Sequence, residues 1–484
     1  MANTALPAPH HPVRRRALGG LLDADGWTWA GVKAVFWFVV LVTLLGWIPD
    51  RAYYFTVQRT VELWPAAPFL HWAPINFCPP SNETLPCPAP GGSTLPWHTA
   101  PEQVRLPAAR VDGVGAAMGL TFIYAGGSDG TAPVADTYFS RAVAIGNIDA
   151  WKPGPALPAA RADAASVVVG STMFVIGGYG PDGKPTDTVF SITVGSDGKL
   201  GEWKTVDALK LPEPRAGATA VTVSDGIVVL GGANDQGATN TVWKTQAATG
   251  GTYGKWTPQA TMFEANKDGI GVHVGDVIFV LGGTNAKGEV VATVQQGLVG
   301  GPGSTAKDPN IVQAWRVSAE TNLPGPRTNM SGFTANGGIY LQGGSDGTTP
   351  RNETVWATPD ADGVIPAWNH LDATYLGEGL EGSTAVVIGS NAILMAGRTP
   401  AGLTADLARA NLAPQEPFFQ LGLIGMTVPG LKLDGEIGQQ LGYLNAATVG
   451  AVNFVLMILL GYAFNHKEKV VQLREAIRRR RRRS

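Results

Sequence analysis

An apolar run that ends in a glycine pair returns along this chain at intervals a little above fifty residues. FIYAGG ends at Gly127, MFVIGG at Gly178, IVVLGG at Gly232, VIFVLGG at Gly283 and IYLQGG at Gly344, and a degraded sixth copy, AILMAG, ends at Gly397. The first positions of the pairs are Gly126, Gly177, Gly231, Gly282 and Gly343, with Ala396 in the sixth copy, and they lie 51, 54, 51, 61 and 53 residues apart. Tryptophans keep the same phase: Trp151, Trp203, Trp256 and Trp368 lie 25 or 26 residues beyond the first glycine, and Trp315 belongs to the longer fourth unit. Arg110, Arg161, Arg215 and Arg327 each stand 16 residues before it, with Asn266 and Leu380 in the fourth and sixth copies. A period near fifty with short apolar strands is the pattern of a propeller or solenoid. The second unit reads as four strands, ASVVVG, TMFVIGG, TDTVFSITV and a short one near Trp203, all too short and too glycine-flanked for helices. One such sheet leaves both faces bare, so six must stack around an axis.

The glycine pair closing an apolar strand, with a tryptophan further on, resembles the kelch repeat over Leu106 to Pro414. The resemblance implies an all-β, six-bladed kelch-like β-propeller. Tyr138 alone matches the tyrosine that kelch units carry between glycines and tryptophan, and Trp97 is placed to supply the outer strand of the last blade. The repeated residues are expected to be structural: glycines for backbone conformations or blade contacts closed to other residues, tryptophans between blades, arginines tying loops.

Function is then expected where the copies differ. The resemblance places one face at the loops after each glycine pair and the starts of the preceding strands. That face carries Asp112, Asp163, Gly217, Asp268, Asn329 and Gly382 two residues beyond each arginine position, and Asp129, Tyr179, Asn234, Asn285, Asp346 and Arg398 in the loops. This is a polar, mildly acidic mouth for a sugar, a cation or a basic partner segment; ordinary turns account for the SDG and NDQG loops equally well. Some kelch propellers resemble galactose oxidase, with a copper site and a Cys-linked tyrosine; the repeat region here has no cysteine, which excludes that chemistry. His98, His273 and His370 fall in different blades without ligand spacing, and no nucleophile elbow or phosphate loop is present, so neither metal nor cofactor is expected. Bacterial kelch propellers also include sialic acid mutarotases, which need only an acid/base pair; Asp112, Asp163, Asp268, Asp346 and Arg398 are the candidates.

Charge distribution organises the rest. The whole chain of 484 residues carries a net charge of −2, which excludes a strongly basic nucleic-acid binder. Between Arg51 and Gln440 there are 23 Lys and Arg against 33 Asp and Glu; outside that stretch there are 13 against 5. The positive excess flanks two apolar segments. Residues 27–49 hold one charge, Lys33, among Trp27, Trp29 and Trp47, and residues 441–464 hold none. Each is long enough to cross a hydrocarbon layer of about 30 Å. Positive flanks stay cytoplasmic, so residues 1–26 and 465–484 are expected inside the plasma membrane and the propeller outside it. In that oxidising compartment Cys78 and Cys87, within the linker 50–105, are expected to pair. Residues 415–440 read as a membrane-surface elbow leading into the second span. The run Arg478 to Arg483 is suited to anionic lipid. The expected role is a membrane-anchored scaffold for a protein or glycan partner, or an accessory subunit of a membrane complex, with a cofactor-free sugar isomerase as the alternative.

Overall fold

The structure, a computed structural model, describes residues 92–94, 96–142, 148–245, 253–299, 312–388 and 391–412, with Phe36, Trp37, Val40 and two short strands near residue 420. The described residues form six four-stranded antiparallel sheets and two two-stranded ones. Five sheets take their strands in chain order, as in Val114–Met118, Thr121–Ala125, Thr137–Arg141 and Lys152–Pro153. The sixth combines Thr384–Ile388, Asn391–Thr399 and Gly402–Asn411 with His98–Thr99, which pairs through His98 and Arg409. Trp97 precedes this outer strand as Trp151, Trp203, Trp256 and Trp368 precede theirs. The segment ahead of the first repeat, within the stretch 50–105 that the sequence reads as a linker, thus closes the ring through His98 and Thr99.

The apolar runs have a direct cause. Each second strand lies between two neighbours within its blade, and adjacent blades cover both of its faces. Thr121–Ala125, Gly226–Leu230, Val277–Leu281 and Gly338–Gln342 are buried at every position. The innermost strands show one buried face and one that is half-buried along the axis, as in Val114–Met118. Alternation therefore appears where one face is open, and a continuous apolar run where neither is.

The repeated residues connect blade to blade. The second glycine of each pair donates its N–H to the carbonyl at the arginine position of the next blade. Gly127 reaches Arg161, Gly178 Arg215, Gly232 Asn266, Gly283 Arg327, Gly344 Leu380 and Gly397 Arg110, all at 2.7–2.8 Å. The first glycine is left-handed, and a Cβ on Gly126 would stand 2.5 Å from the same Arg161 carbonyl. The guanidinium groups turn inward. Arg110 meets Asp136, Arg161 meets Thr188, and Arg215 meets Thr241 and Glu213 while lying over the Trp243 ring at 4.4 Å. Arg327 reaches Glu353 at 3.4 Å, and Asn266, in the fourth copy, bonds the Gly282 carbonyl instead. Leu380 takes this place in the sixth copy, where a cavity of about 420 Å³ opens beside Trp97, Leu376 and Leu407.

Most tryptophans bond to the blade before their own. Trp203 Nε1 donates to Thr137 at 3.0 Å, Trp256 to the Leu209 carbonyl, Trp315 to Ala260, Trp368 to Thr321 and Trp97 to Thr354. Trp151 Nε1 is buried without a partner among the described residues. Thr137 and Thr354 pair across from the residue preceding the first glycine; in the last blade Leu407 occupies that register, opposite Met395, and offers no acceptor. Trp203→Phe should therefore cost about 1 kcal/mol more than Trp151→Phe, since only the first breaks a bond. Urea midpoints of the two variants measure the difference, and equal midpoints would contradict the assignment.

Among the described residues no helix is long and apolar enough to cross a membrane. The segments 27–49 and 441–464, three residues of the first apart, lie outside the described residues, as do Cys78, Cys87 and the arginine tail. Within 415–440, Phe419–Leu421 pairs with Met426–Val428.

Candidate functional site

The residues two beyond each arginine position meet around the axis. Asp163 donates its N–H to the Asp112 carbonyl, Gly217 to Asp163, Asp268 to Gly217, Asn329 to Asp268, Gly382 to Asn329 and Asp112 to Gly382, at 2.8–3.0 Å. The six bonds close a ring, one residue per blade. Every member is left-handed, from φ 50° at Asn329 to 61° at Gly217. Asp and Asn are the side chains that tolerate this region best, so the ring geometry explains why these positions hold only Asp, Asn and Gly.

The ring stands over a cavity of about 280 Å³ lined by the innermost strands. The two glycines make space for the carboxyl groups. A Cβ on Gly217 would overlap the Asp268 carboxyl and stand 3.0 Å from Asp163 Oδ2, and one on Gly382 would overlap Asp112. Asp163 and Asp268 thus face one another across Gly217, with Asp112 over Gly382. Burial, then Asp268, pushes Asp112 up to about 6, against the opposing pull of Arg398. Burial pushes Asp163 well above the usual carboxylate range, and Asp268 and Asp112 add to it. Lys267 Nζ lies 3.1 Å from Asp268 Oδ2. Burial works against the Lys267 ammonium, but Asp268, Tyr179 and Asp163 hold its pKa above the ordinary value. Asp268 Oδ1 is buried, and the Asp163 and Asp268 carboxyl groups share a hydrogen bond.

The remaining candidates divide by what holds them. Asp129 accepts from Thr131 N–H and Oγ1 and from Ala132 N–H, which lowers its pKa to about 2, the Thr131 side chain contributing most. Asp346 closes the same turn on Thr348 and Thr349 and also bonds Arg351. Asn234 accepts from Gln236 N–H and donates to Glu213, and Asn285 accepts from Lys287 and Glu289. These four cap their own loops. Tyr179 and Arg398 lie nearer the axis: burial first, then the field of Asp163, raises the Tyr179 hydroxyl, and Arg398 Nη1 stands 3.9 Å from Glu381.

Sequence reasoning passed over Lys267 and Glu381. The signal was present, because the position just before each axial residue reads Val111, Ala162, Ala216, Lys267, Thr328 and Glu381, with charge in only two copies. Among the described residues no group of three His, Cys, Asp or Glu is disposed to hold a metal ion. What the ring does offer is convergent acceptors on fixed backbone, two of them protonated more readily than ordinary carboxylates. Such a set can accept bonds from a donor-rich ligand and can give or take a proton.

A kelch motif matches residues 160–197, within the second blade. N-acetylneuraminate epimerases of Salmonella enteritidis PT4 and Salmonella typhimurium are each 29% identical to the chain over 184 residues, which cover 34% of this chain and 47% of theirs. The chain thus matches about half the length of these curated relatives. A solved structure titled "Structure of YjhT" superimposes with a TM-score of 0.50 at 14% identity, covering 64% of this chain and 95% of that one. At that identity the likeness concerns the fold.

Proposed function

We infer that this kelch-type β-propeller is a membrane-anchored, extracytoplasmic binding module with a glycan as the ligand of its axial mouth. The observation that carries the reading is the ring itself: Asp112, Asp163, Asp268 and Asn329 converge on one cavity from a closed, hydrogen-bonded backbone. A sugar presents hydroxyl donors on several sides, and a rigid set of acceptors binds it without ordering loops first. The outer loops, whose acidic groups are spent on their own turns, are left for a protein partner. Residues 27–49 and 441–464 serve as the anchors. The polybasic tail lies on anionic lipid inside, and the Cys78 to Cys87 loop is oxidised outside. Nucleic acid has no place in this arrangement.

A second reading, a cofactor-free sugar isomerase, is favoured by the raised proton affinities of Asp163 and Asp112 beside one another on the ring. Protonated Asp163 would give its proton to the ring oxygen as ionised Asp112 takes the anomeric hydroxyl proton. The C1–O5 bond breaks and a carbonyl forms; reclosure on the other face returns both protons. The relatives named as N-acetylneuraminate epimerases support this class, although they match over only part of their length.

Both readings are tested on the full chain in mild detergent. Sugars should bind with micromolar to millimolar affinity, and Asp163→Asn should weaken them at least tenfold while Asp129→Ala does not. Magnetisation exchange between sugar anomers separates the readings: acceleration by the wild type that Asp112→Asn abolishes identifies the isomerase, and binding without acceleration identifies the module. Protease outside intact cells should cut the propeller and spare the arginine tail; a cleaved tail would overturn the topology.

A further inference from the structure

We propose that the propeller rests the face opposite its axial mouth on the lipid bilayer, so that the mouth opens away from the membrane and meets a ligand presented from outside, not the headgroups of the membrane that anchors it. The proposal rests on the anchor reading above. Its ground is where the two ends of the propeller lie. The innermost strand of each blade starts at the axial ring and runs away from it, as Val114–Met118 does after Asp112 and Thr384–Ile388 after Gly382. Antiparallel order fixes the rest. The loops after the glycine pairs return to the mouth, and the turns between first and second strands and between third and fourth lie on the opposite face. In the last blade Gly402–Asn411 is the third strand, so it ends on that opposite face, where Asn411 pairs with Asn391. The segment before the outer strand His98–Thr99 meets it there: Thr94 bridges Leu412, and Ser93 and Thr94 are buried. The chain therefore enters and leaves the propeller side by side. Residues 27–49 precede this point and residues 441–464 follow it, so both apolar segments are tethered to one face, and neither to the mouth.

The surface of that face fits lipid. Leu120 is 58% exposed in the turn after the first innermost strand, Leu298 38% near the end of a third strand, and Val364 38% in the turn before an outer strand. All three lie on the face where the chain enters and leaves; Phe263, exposed in the loop leading to the fourth blade, lies on the mouth side. Leu298 and Val364 come from neighbouring blades. Leu298 pairs with Val277, against which a Cβ on Gly363 would stand at 2.6 Å, and Gln296 donates to the Gly363 carbonyl at 3.1 Å. Exposed carbon held next to a bilayer by two tethers gains by entering the interface, because the tethers make the encounter intramolecular. The reverse orientation would press the carboxyl groups of the mouth onto anionic headgroups, like charge against like.

A fluorophore attached at Leu120→Cys, or at Asp235→Cys in an exposed mouth loop, tests this in the full chain. Cys78→Ser and Cys87→Ser in the same protein leave no other thiol. The protein is placed in nanodiscs of phosphatidylcholine and phosphatidylglycerol that carry a nitroxide on the headgroup. The probe at 120 should be quenched about threefold or more relative to the probe at 235. Adding Leu298→Glu and Val364→Glu should bring the quenching at 120 down toward that at 235, since charge then replaces the carbon at the interface. Stronger quenching at 235 would overturn the orientation. Equally weak quenching at both sites would mean a propeller held off the bilayer by its linkers, and would overturn the docking. The anchor reading fails by a different measurement: a full chain that does not float with lipid in a density gradient removes it, and this inference with it. The two probe positions are exposed turns, so the comparison stands even where the glutamate variants do not fold.

Discussion

Gly343→Ala should destabilise the propeller by about 3–5 kcal/mol. Three costs combine. Gly343 has φ 59°, where a side chain costs about 1–2 kcal/mol. The new Cβ would overlap the Leu380 carbonyl of the next blade. That carbonyl accepts the N–H of Gly344, so the displaced backbone also loses an inter-blade bond. The last blade supplies the reverse experiment. Ala396 occupies the same position at φ 57°, and its ladder shifts register between Met395 and Gly397. The irregularity gives the methyl group room while Gly397 keeps its bond to Arg110. Ala396→Gly should therefore stabilise by about 1 kcal/mol. Denaturant midpoints of the two variants, read by tryptophan fluorescence, must move in opposite directions. A Gly343→Ala protein with the wild-type midpoint would sink the idea that the pair exists for the inter-blade contact.

That contact explains why the fold was legible so early. A position that must be left-handed and must also receive a neighbour's carbonyl admits little but glycine, and six equivalent neighbours write it into the chain at a fixed period. The tryptophans follow for the same reason, each filling one inter-blade space. Ring closure was readable in part. Trp97 was in phase with nothing before it, yet it was the one tryptophan placed to complete the sixth sheet.

The site was only half legible. Asp112, Asp163, Asp268 and Asn329 emerged as one repeat position, because their spacing from the arginines is fixed. Asp129, Asn234, Asn285 and Asp346 looked equally suitable, and only the hydrogen bonds show that each satisfies its own turn. Sequence does not report whether a carboxylate already has donors. Nor does it report that Gly217 and Gly382 are the two places in the ring where neighbouring carboxyl groups find room.

Raising the pH from 4 to 8 should destabilise this protein, opposite to the usual behaviour of a protein rich in paired carboxylates. Asp112 is raised from 3.8 to about 6 in the folded state, by burial first, and Asp163 moves in the same direction. Between the unfolded value of about 3.9 and the folded one, the native chain therefore holds more protons than the unfolded chain. Stability from these groups is complete below the unfolded pKa and, for Asp112, is lost as pH climbs through about 6; Asp163 acts in the same direction. For Asp112 alone the rise corresponds to about 3 kcal/mol. Asp129 and Asp346, lowered by their turns, act oppositely, but only as pH falls below about 4; Asp129 is exposed and Asp346 partly so. Asp112→Asn should raise stability at pH 8 by about 2–3 kcal/mol and flatten the pH slope between 5 and 7, since asparagine already occupies the equivalent left-handed position at Asn329. The same variant should lose ligand, because the neutral amide removes the charge that the mouth keeps at a cost to folding. Urea unfolding of wild type and variant across this range decides the matter. Parallel slopes would mean that Asp112 ionises in the folded protein as easily as in water, and the ring would then be a device for closing the propeller with no stored affinity for a donor.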